Sequence, residues 1–368
     1  MMRDKVISMQ MVPVYFQTSR WLRGYLDPPG YESGYKPQRA VTYADQLLAA
    51  LQNPVSAAVR KFGVSNAPFR DFDYIQPGWI QPQGANLLEV PCGFPGANAD
   101  KAGQNNGRTS YATWQHAFSQ LFANDADFKR VARYPLFSII DTNSAHHLSA
   151  PLVERAVRLA DPGRLGGNPT RAMLVVNFDN HPDYGGDTTS PSTCQNWGCF
   201  VSKTVQNVYA YPIADAYVRL GANDPLANPS WSRGQWHLAN SGGGMVDIDS
   251  THASTLEAQL DTVIGTISPP SRGGPANVDA YVSLDRDVLK RNFTQYNDGP
   301  FPAADGIAGV ETCLSHLVRT GVHIVGFDIC GLPTFPGATK DAVDFKVPDA
   351  MALAKTQVTD LWNHIASL

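Results

Sequence analysis

The sequence is poor in charged residues and cysteines and has no long apolar run. Charged residues make up 17% of its 368 residues, below the roughly 25% typical of globular chains, which excludes a highly charged tail, a coiled coil or a disordered chain. The net charge of −4 offers no electrostatic attraction to nucleic acid or to anionic lipid. No apolar run reaches the roughly 18 residues of a membrane-spanning helix. We therefore expect no nucleic-acid partner and no membrane partner.

Neither the cysteines nor the N-terminal residues indicate secretion. The five cysteines are odd in number and form no CxxC pair, so neither a disulfide framework nor a zinc knuckle is predicted. Residues 1–15 mix Arg3, Asp4 and Lys5 with short apolar steps and lack the apolar stretch and small-residue cleavage site of a signal peptide. The expected location is cytoplasmic.

Hydrophobic residues, at 43%, are sufficient for one large domain spanning 1–368. Residues 20–110 are rich in Pro, Gly, Asn and Gln, and we interpret them as a loop-rich N-terminal elaboration with one helical pattern at Tyr43–Leu51. Loops of this kind often carry substrate specificity.

From about residue 110, short apolar runs alternate with helical patterns, which predicts an α/β fold with a parallel sheet covered by helices on both faces. The apolar runs predicted to form buried strands are Pro135–Ile140, Ala172–Phe178, Ala280–Leu284 and His323–Phe327. The predicted helices are Leu152–Ala160, Val201–Leu220, Leu256–Ile264, Gly309–Thr320 and Met351–Ile365.

The most informative motif directly follows the second of these strands. Asp179, His181 and Asp183 lie two residues apart, so extended backbone directs them to one side. Ligands of open α/β sheets bind at the carboxyl ends of strands, and an Asp/His/Asp set suits a divalent cation. Because Asp and His also gather in turns, an ordinary turn is the competing interpretation.

A second acidic motif, Asp285 and Asp287, ends the third predicted strand. For Asp287 alone, a helix N-cap is an equally simple interpretation. If the two strands are parallel neighbours, the four aspartates of both motifs meet at one edge, where they repel one another unless cations lie among them. Two divalent ions with a bridging hydroxide would balance this charge and provide a nucleophile at neutral pH.

Two histidines follow the first predicted strand, just before a helix. His146 and His147 are adjacent, and imidazole is the commonest nitrogen ligand of such metals. We expect one of the two to bind metal and the other to cap or pack.

The order of these motifs, His then Asp-x-His-x-Asp then Ser-x-Asp-x-Asp, resembles the arginase/agmatinase (ureohydrolase) family over about residues 135–335. The resemblance implies a three-layer fold around a parallel sheet of about eight strands and two Mn²⁺ ions per subunit, with Zn²⁺, Ni²⁺ or Fe²⁺ as alternatives. It implies that the metal ligands are His146 (or His147), Asp179, His181, Asp183, Asp285 and Asp287. It also gives Asp183 and His181 catalytic roles, with Asp183 accepting the proton of the bridging hydroxide.

The resemblance places Trp197 and Asp328 in the substrate pocket, where the chain also departs from the family pattern. The segment Asn196-Trp197-Gly198-Cys199 occupies the region where the family often has a His that shuttles protons. Gly331 stands where the family usually has a Glu that pairs with the guanidinium of the substrate. Both differences indicate a substrate other than plain arginine or agmatine, or one that is held differently.

The expected function is therefore hydrolysis of a C–N bond in a small guanidino, amidino or related substrate by a metal-bridging hydroxide. One alternative is a deacetylase-like amidohydrolase with a single Zn²⁺, since the His146-His147 pair also resembles the paired histidines of histone deacetylases. Another is a non-catalytic metal-binding relative. A homo-oligomer is compatible with the sequence.

Overall fold

The computed structural model of the chain describes its sheet, the helices packed on it and their connections. The described residues are 11–17, 88–91, 134–140, 149–180, 211–221, 234–239, 245–249, 255–289, 303–330 and 347–368. The predicted helix Tyr43–Leu51 lies outside them, and of residues 20–110 only Leu88–Pro91 lies within them, as a strand.

The described strands form one sheet of nine in the order β2-β1-β3-β9-β8-β4-β5-β6-β7. All pairings from β2 to β5 are parallel, whereas β6 and β7 add an antiparallel edge. This confirms the α/β class, with nine strands where about eight were expected. The strands are β1 (Val12–Gln17), β2 (Leu88–Pro91), β3 (Leu136–Ile140), β4 (Ala172–Phe178), β5 (Ala216–Leu220), β6 (Gly234–Ala239), β7 (Met245–Asp249), β8 (Val278–Asp285) and β9 (His323–Cys330).

Helices cover both faces of the sheet, which gives three layers. They are α1 (Ala150–Ala160), α2 (Leu256–Ile267), α3 (Ala303–Thr320) and α4 (Val347–Ser367). Alternate apolar residues of the central strands pack with the buried residues of α2, α3 and α4 in one hydrophobic core. Phe137 of β3 stacks on Phe327 of β9 and meets Trp362 of α4 edge-on, at centroid distances of 5.2 and 5.4 Å. The other face carries α1, which contacts β8 and β9.

The connection from α3 to β9 shows how the chain turns sharply between layers. Gly321 directly follows α3 and has φ of 94°, a left-handed conformation that glycine adopts without a steric penalty. The amide of Val322 then donates to the carbonyl of Leu317, at 2.9 Å. The turn brings β9 directly alongside β8. None of the helices in the described ranges combines the length and the apolar character required to cross a membrane.

The four strands predicted from apolar runs are confirmed, with β8 and β9 extended by one to three residues at their ends. Four of the predicted helices are also confirmed. The prediction of a helix over Val201–Leu220 is wrong at its end, because Ala216–Leu220 is strand β5. All five of its residues are buried between β4 and β6. A short apolar run that is buried on both sides has no periodicity to separate strand from helix.

Candidate active site

The carboxyl ends of four neighbouring parallel strands, β3, β9, β8 and β4, meet at one edge of the sheet. Phe178 of β4 pairs with Leu284 of β8, so the next residues, Asp179 and Asp285, stand at the same level. Adjacent strands are about 4.8 Å apart, and both aspartates are buried. The predicted convergence of the two acidic motifs on adjacent strands therefore holds for their first aspartates.

Hydrogen bonds to β5 and to Asn177 of β4 hold Asp179 in place. Its amide donates to the carbonyl of Leu220 in β5, at 2.9 Å. Its Oδ2 accepts from the Nδ2 of Asn177, at 3.0 Å, and the same Nδ2 donates to the hydroxyl of Tyr217, at 2.8 Å. All three side chains are fully buried. One carboxylate oxygen of Asp179 is therefore oriented by a buried amide.

Asp285 lies beside a buried cation, Arg286. The Nε of Arg286 donates to the Oε1 of Gln357 in α4, at 2.6 Å, so the guanidinium extends towards the layer of α2–α4. Burial lowers the pKa of Arg286 to about 9, against the opposing influence of the Asp285 carboxylate and of Cys330. The guanidinium thus stays charged at neutral pH and compensates part of the negative charge of the strand ends.

Asp328 of β9 is fully buried. It pairs with Ser283 of β8, two residues before Asp285 at the strand end. Its Oδ1 accepts from the hydroxyls of Ser283, at 2.6 Å, and Ser149, at 3.1 Å, and its Oδ2 accepts from Tyr281, at 2.7 Å. Ser149 immediately precedes α1, so this carboxylate joins the start of α1 to β8 and β9. Contact of Asp328 with a substrate stays a prediction.

Tyr281 reaches Asp328 by lying across Gly326. A Cβ placed on Gly326 would come within 2.5 Å of the ring of Tyr281. A bulge in the β8–β9 pairing next to Tyr281 brings Tyr281 level with Gly326. Burial and then the Asp328 carboxylate raise the pKa of Tyr281 well above its usual value, so the hydroxyl keeps its proton and acts as a donor.

One polar residue from each of five neighbouring strands, β3, β9, β8, β4 and β5, lies at the same level of the sheet, and we call these five residues the polar row. Ser138 pairs with Asp328, Asp328 with Ser283, Ser283 with Asn177, and Asn177 with Arg219. All five are buried, on the face opposite the α2–α4 core. The polar row therefore lies directly beneath the level of Asp179 and Asp285.

The remaining predicted site residues fall largely outside the described ranges. The structure includes the backbone of Asp287 in a 3₁₀ turn, Arg286–Val288. His146, His147, His181, Asp183, Trp197 and Gly331 are not among the described residues, and their roles stay predictions. Within the described ranges no three His, Cys, Asp or Glu side chains are grouped closely enough to hold a metal ion.

Sequence reasoning missed the supporting roles of Asn177, Ser283 and Tyr281. One signal was available, since Asn177 and Ser283 each precede a motif aspartate by two residues and therefore share its face of the strand. Nothing in the sequence identifies Tyr217 as the partner of Asn177, because that contact depends on β5 lying beside β4.

Comparisons with known proteins gave structural similarities at low identity. No family model and no curated protein matches the chain. Similar solved structures include a hypothetical agmatinase from Burkholderia thailandensis (16% identity, TM-score 0.41, covering 100% of this chain and 88% of that one). The chain is also similar to an arginase from Entamoeba histolytica in complex with L-ornithine (12% identity, TM-score 0.41, covering 96% of this chain and 99% of that one). A further similar structure is a formimidoylglutamase from Bacillus subtilis (11% identity, TM-score 0.40, covering 98% of this chain and 90% of that one). Likenesses of this degree leave the chemistry to be inferred from the residues of this chain.

Proposed function

We propose that this protein is a hydrolase that uses two divalent metal ions, Mn²⁺ by preference, to cleave a C–N bond of a small guanidino, amidino or related substrate. The observation that carries the proposal is the placement of Asp179 and Asp285 at the same level on adjacent parallel strands. Two buried carboxylates at this spacing repel each other strongly unless a proton or a cation lies between them. Divalent cations with carboxylate oxygen ligands meet this requirement.

The described side chains fit such a metal pair. Asp179 already has one oxygen held by the Asn177 amide, as ligating carboxylates usually do. Arg286 carries one positive charge and hydrogen-bonds to α4. With Asp183 and Asp287 beside Asp179 and Asp285, the four carboxylates would carry more negative charge than this one guanidinium balances. His181 and His146 (or His147) would supply the nitrogen ligands. When bound, the metal pair makes water a nucleophile at neutral pH and stabilises the charge that develops on the substrate.

The chain contributes proton handling and a restricted pocket. Asp183 would accept the proton released by the attacking water and pass it to the leaving amine, since a carboxylate within hydrogen-bond reach can serve as base and then as acid. Trp197 would line the pocket as an apolar wall. An indole cannot shuttle protons, so Asp183 would perform both transfers.

The test is a hydrolase screen on metal-loaded protein. The chain is stripped of metal, reloaded with Mn²⁺ or Zn²⁺, and assayed for stoichiometry and for release of urea, ammonia, formamide or acetate from guanidino, amidine, formimino and acylamino compounds. We expect about two Mn²⁺ per chain and turnover of a guanidino, amidine or formimino compound. One Zn²⁺ with turnover only of acylamino compounds would favour the deacetylase-like alternative. Metal binding without turnover of any of these compounds would favour the alternative of a non-catalytic metal-binding relative.

Plain arginine and agmatine are expected to be poor substrates. A buried guanidinium without a partner carboxylate is unfavourable by several kcal/mol, of the order of 3–5, and Gly331 supplies none at the position where the family usually has a Glu. We expect less than about 0.1 turnovers per second on either compound with the Mn²⁺-loaded protein, well below the typical enzyme rate of about 10 per second. A rate at or above the typical value would contradict the inference from Gly331.

A further inference from the structure

We infer that Asn177 is a positioning residue for Asp179, and that Tyr217 fixes Asn177 in the orientation this requires. The inference rests on the proposed function only in taking Asp179 as a metal ligand. It concerns side chains that are all described and fully buried.

The orientation of the Asn177 amide follows from its neighbours. A carboxylate is an acceptor only, so the group that faces Asp179 Oδ2 at 3.0 Å is the NH₂ of Asn177 and not its carbonyl. The second N–H of the same nitrogen donates to the Tyr217 hydroxyl, at 2.8 Å. Both N–H groups of the Asn177 amide therefore have an acceptor, Asp179 for one and Tyr217 of the neighbouring strand for the other.

The amide oxygen shows that this arrangement has a cost. Asn177 Oδ1 is buried and has no hydrogen-bond partner among the described residues. A buried acceptor without a partner is unfavourable by about 1–3 kcal/mol. A residue selected for stability alone would be apolar here, as are Val175 and Leu174 on the same strand. The amide is therefore best explained by what its nitrogen does for Asp179.

The geometry also assigns Tyr217 a defined task. Without the hydroxyl oxygen, the Asn177 side chain keeps only one of its two acceptors and can rotate away from Asp179. With the hydroxyl, the amide stays directed at Asp179 and holds its Oδ2, at 3.0 Å. Pre-orientation of a ligand in this way typically contributes 10–100-fold to metal affinity.

The test measures Mn²⁺ affinity of the metal-free full chain by titration calorimetry, with thermal unfolding recorded on each variant. Asn177→Leu is expected to weaken Mn²⁺ binding by about 10–100-fold, and Tyr217→Phe by about 10-fold. The double variant should bind as weakly as Asn177→Leu alone, because Tyr217 acts through Asn177 and the two effects do not add.

Tyr211→Phe is the matched control. Like Tyr217→Phe, it removes one tyrosine hydroxyl, but this hydroxyl donates to the carboxylate of Asp215, at 3.1 Å, at the opposite end of β5 from Asp179. Its Mn²⁺ affinity should match that of the unaltered chain. Tyr217→Phe retains the ring and its packing, so it keeps the test valid if Asn177→Leu does not fold.

Unchanged Mn²⁺ affinity in both Tyr217→Phe and folded Asn177→Leu would overturn the inference and leave the proposed function intact. Additive losses in the double variant would overturn the relay through Asn177. Absence of Mn²⁺ binding in the unaltered chain would instead overturn the proposed function and the inference together, which distinguishes the two failures.

Discussion

Replacement of Asp285 by Ala is expected to abolish Mn²⁺ binding and to lower hydrolysis at least about 10³-fold, equivalent to about 4 kcal/mol of transition-state stabilisation. Asp285 is buried next to Asp179, so its loss removes one of the two carboxylates that would share the metals. Removal of Asp285 relieves its repulsion with Asp179 but also removes its attraction for the buried guanidinium of Arg286, so thermal unfolding is recorded to establish that the metal-free variant still folds. Metal content, rates and thermal unfolding are measured on the same preparations.

Asp279→Asn is the control for this prediction. Asp279 is also buried and lies on β8, but at its amino end, where it accepts from Arg171, at 2.8 Å, and pairs with His323, at 3.1 Å. The Asn variant should lose stability, by up to about 3–5 kcal/mol, and retain the metal and the activity of its folded fraction. If Asp285→Ala keeps normal metal content and full activity, the placement of the metals at this edge is wrong.

The second large effect concerns packing beneath the site. Gly326→Ala is expected to destabilise the protein by about 3 kcal/mol, because the new methyl group would lie 2.5 Å from the Tyr281 ring and overpacking combines with loss of a buried hydrogen bond. Displacement of the ring would remove the 2.7 Å contact of Tyr281 with Asp328. Denaturant unfolding of the variant measures the change.

Gly265→Ala provides the comparison. This glycine lies in α2, and a Cβ built on it meets nothing within 4 Å, so alanine should stabilise the helix by about 0.5–1 kcal/mol. Combining Gly326→Ala with Tyr281→Ala should cost less than the sum of the two single changes, since the clash disappears. A loss below about 0.5 kcal/mol in Gly326→Ala would show that Tyr281 moves freely at this position.

The site was predictable from the sequence as far as local patterns extend. Apolar runs located β4 and β8, and the aspartates that follow them gave the acidic edge. Whether the two strands were neighbours was a condition of that prediction, and the sheet order meets it. The strand β5 was missed because burial on both faces removes the periodicity that distinguishes strand from helix.

The support beneath the site was not predictable, since it depends on pairing between distant segments. Asn177 and Tyr217 are 40 residues apart, and Ser149 and Asp328 are 179 apart. No spacing rule links such positions. The polar character of Asn177 and Ser283 inside buried strands was visible, but its purpose became clear only with the neighbouring strands in place.

The polar row also controls how the strands can align during folding. Sliding β9 by one residue along β8 would turn Asp328 from its three hydroxyl donors to the side occupied by the apolar core of α2–α4. The same slip in β4 would bury the Asn177 amide among aliphatic side chains, and each such transfer is strongly unfavourable. The five polar residues therefore select one register out of the several that uniformly apolar strands would tolerate. In that register Asp179 and Asp285 reach the edge together, so correct assembly of the sheet and alignment of the two acidic side chains are a single event.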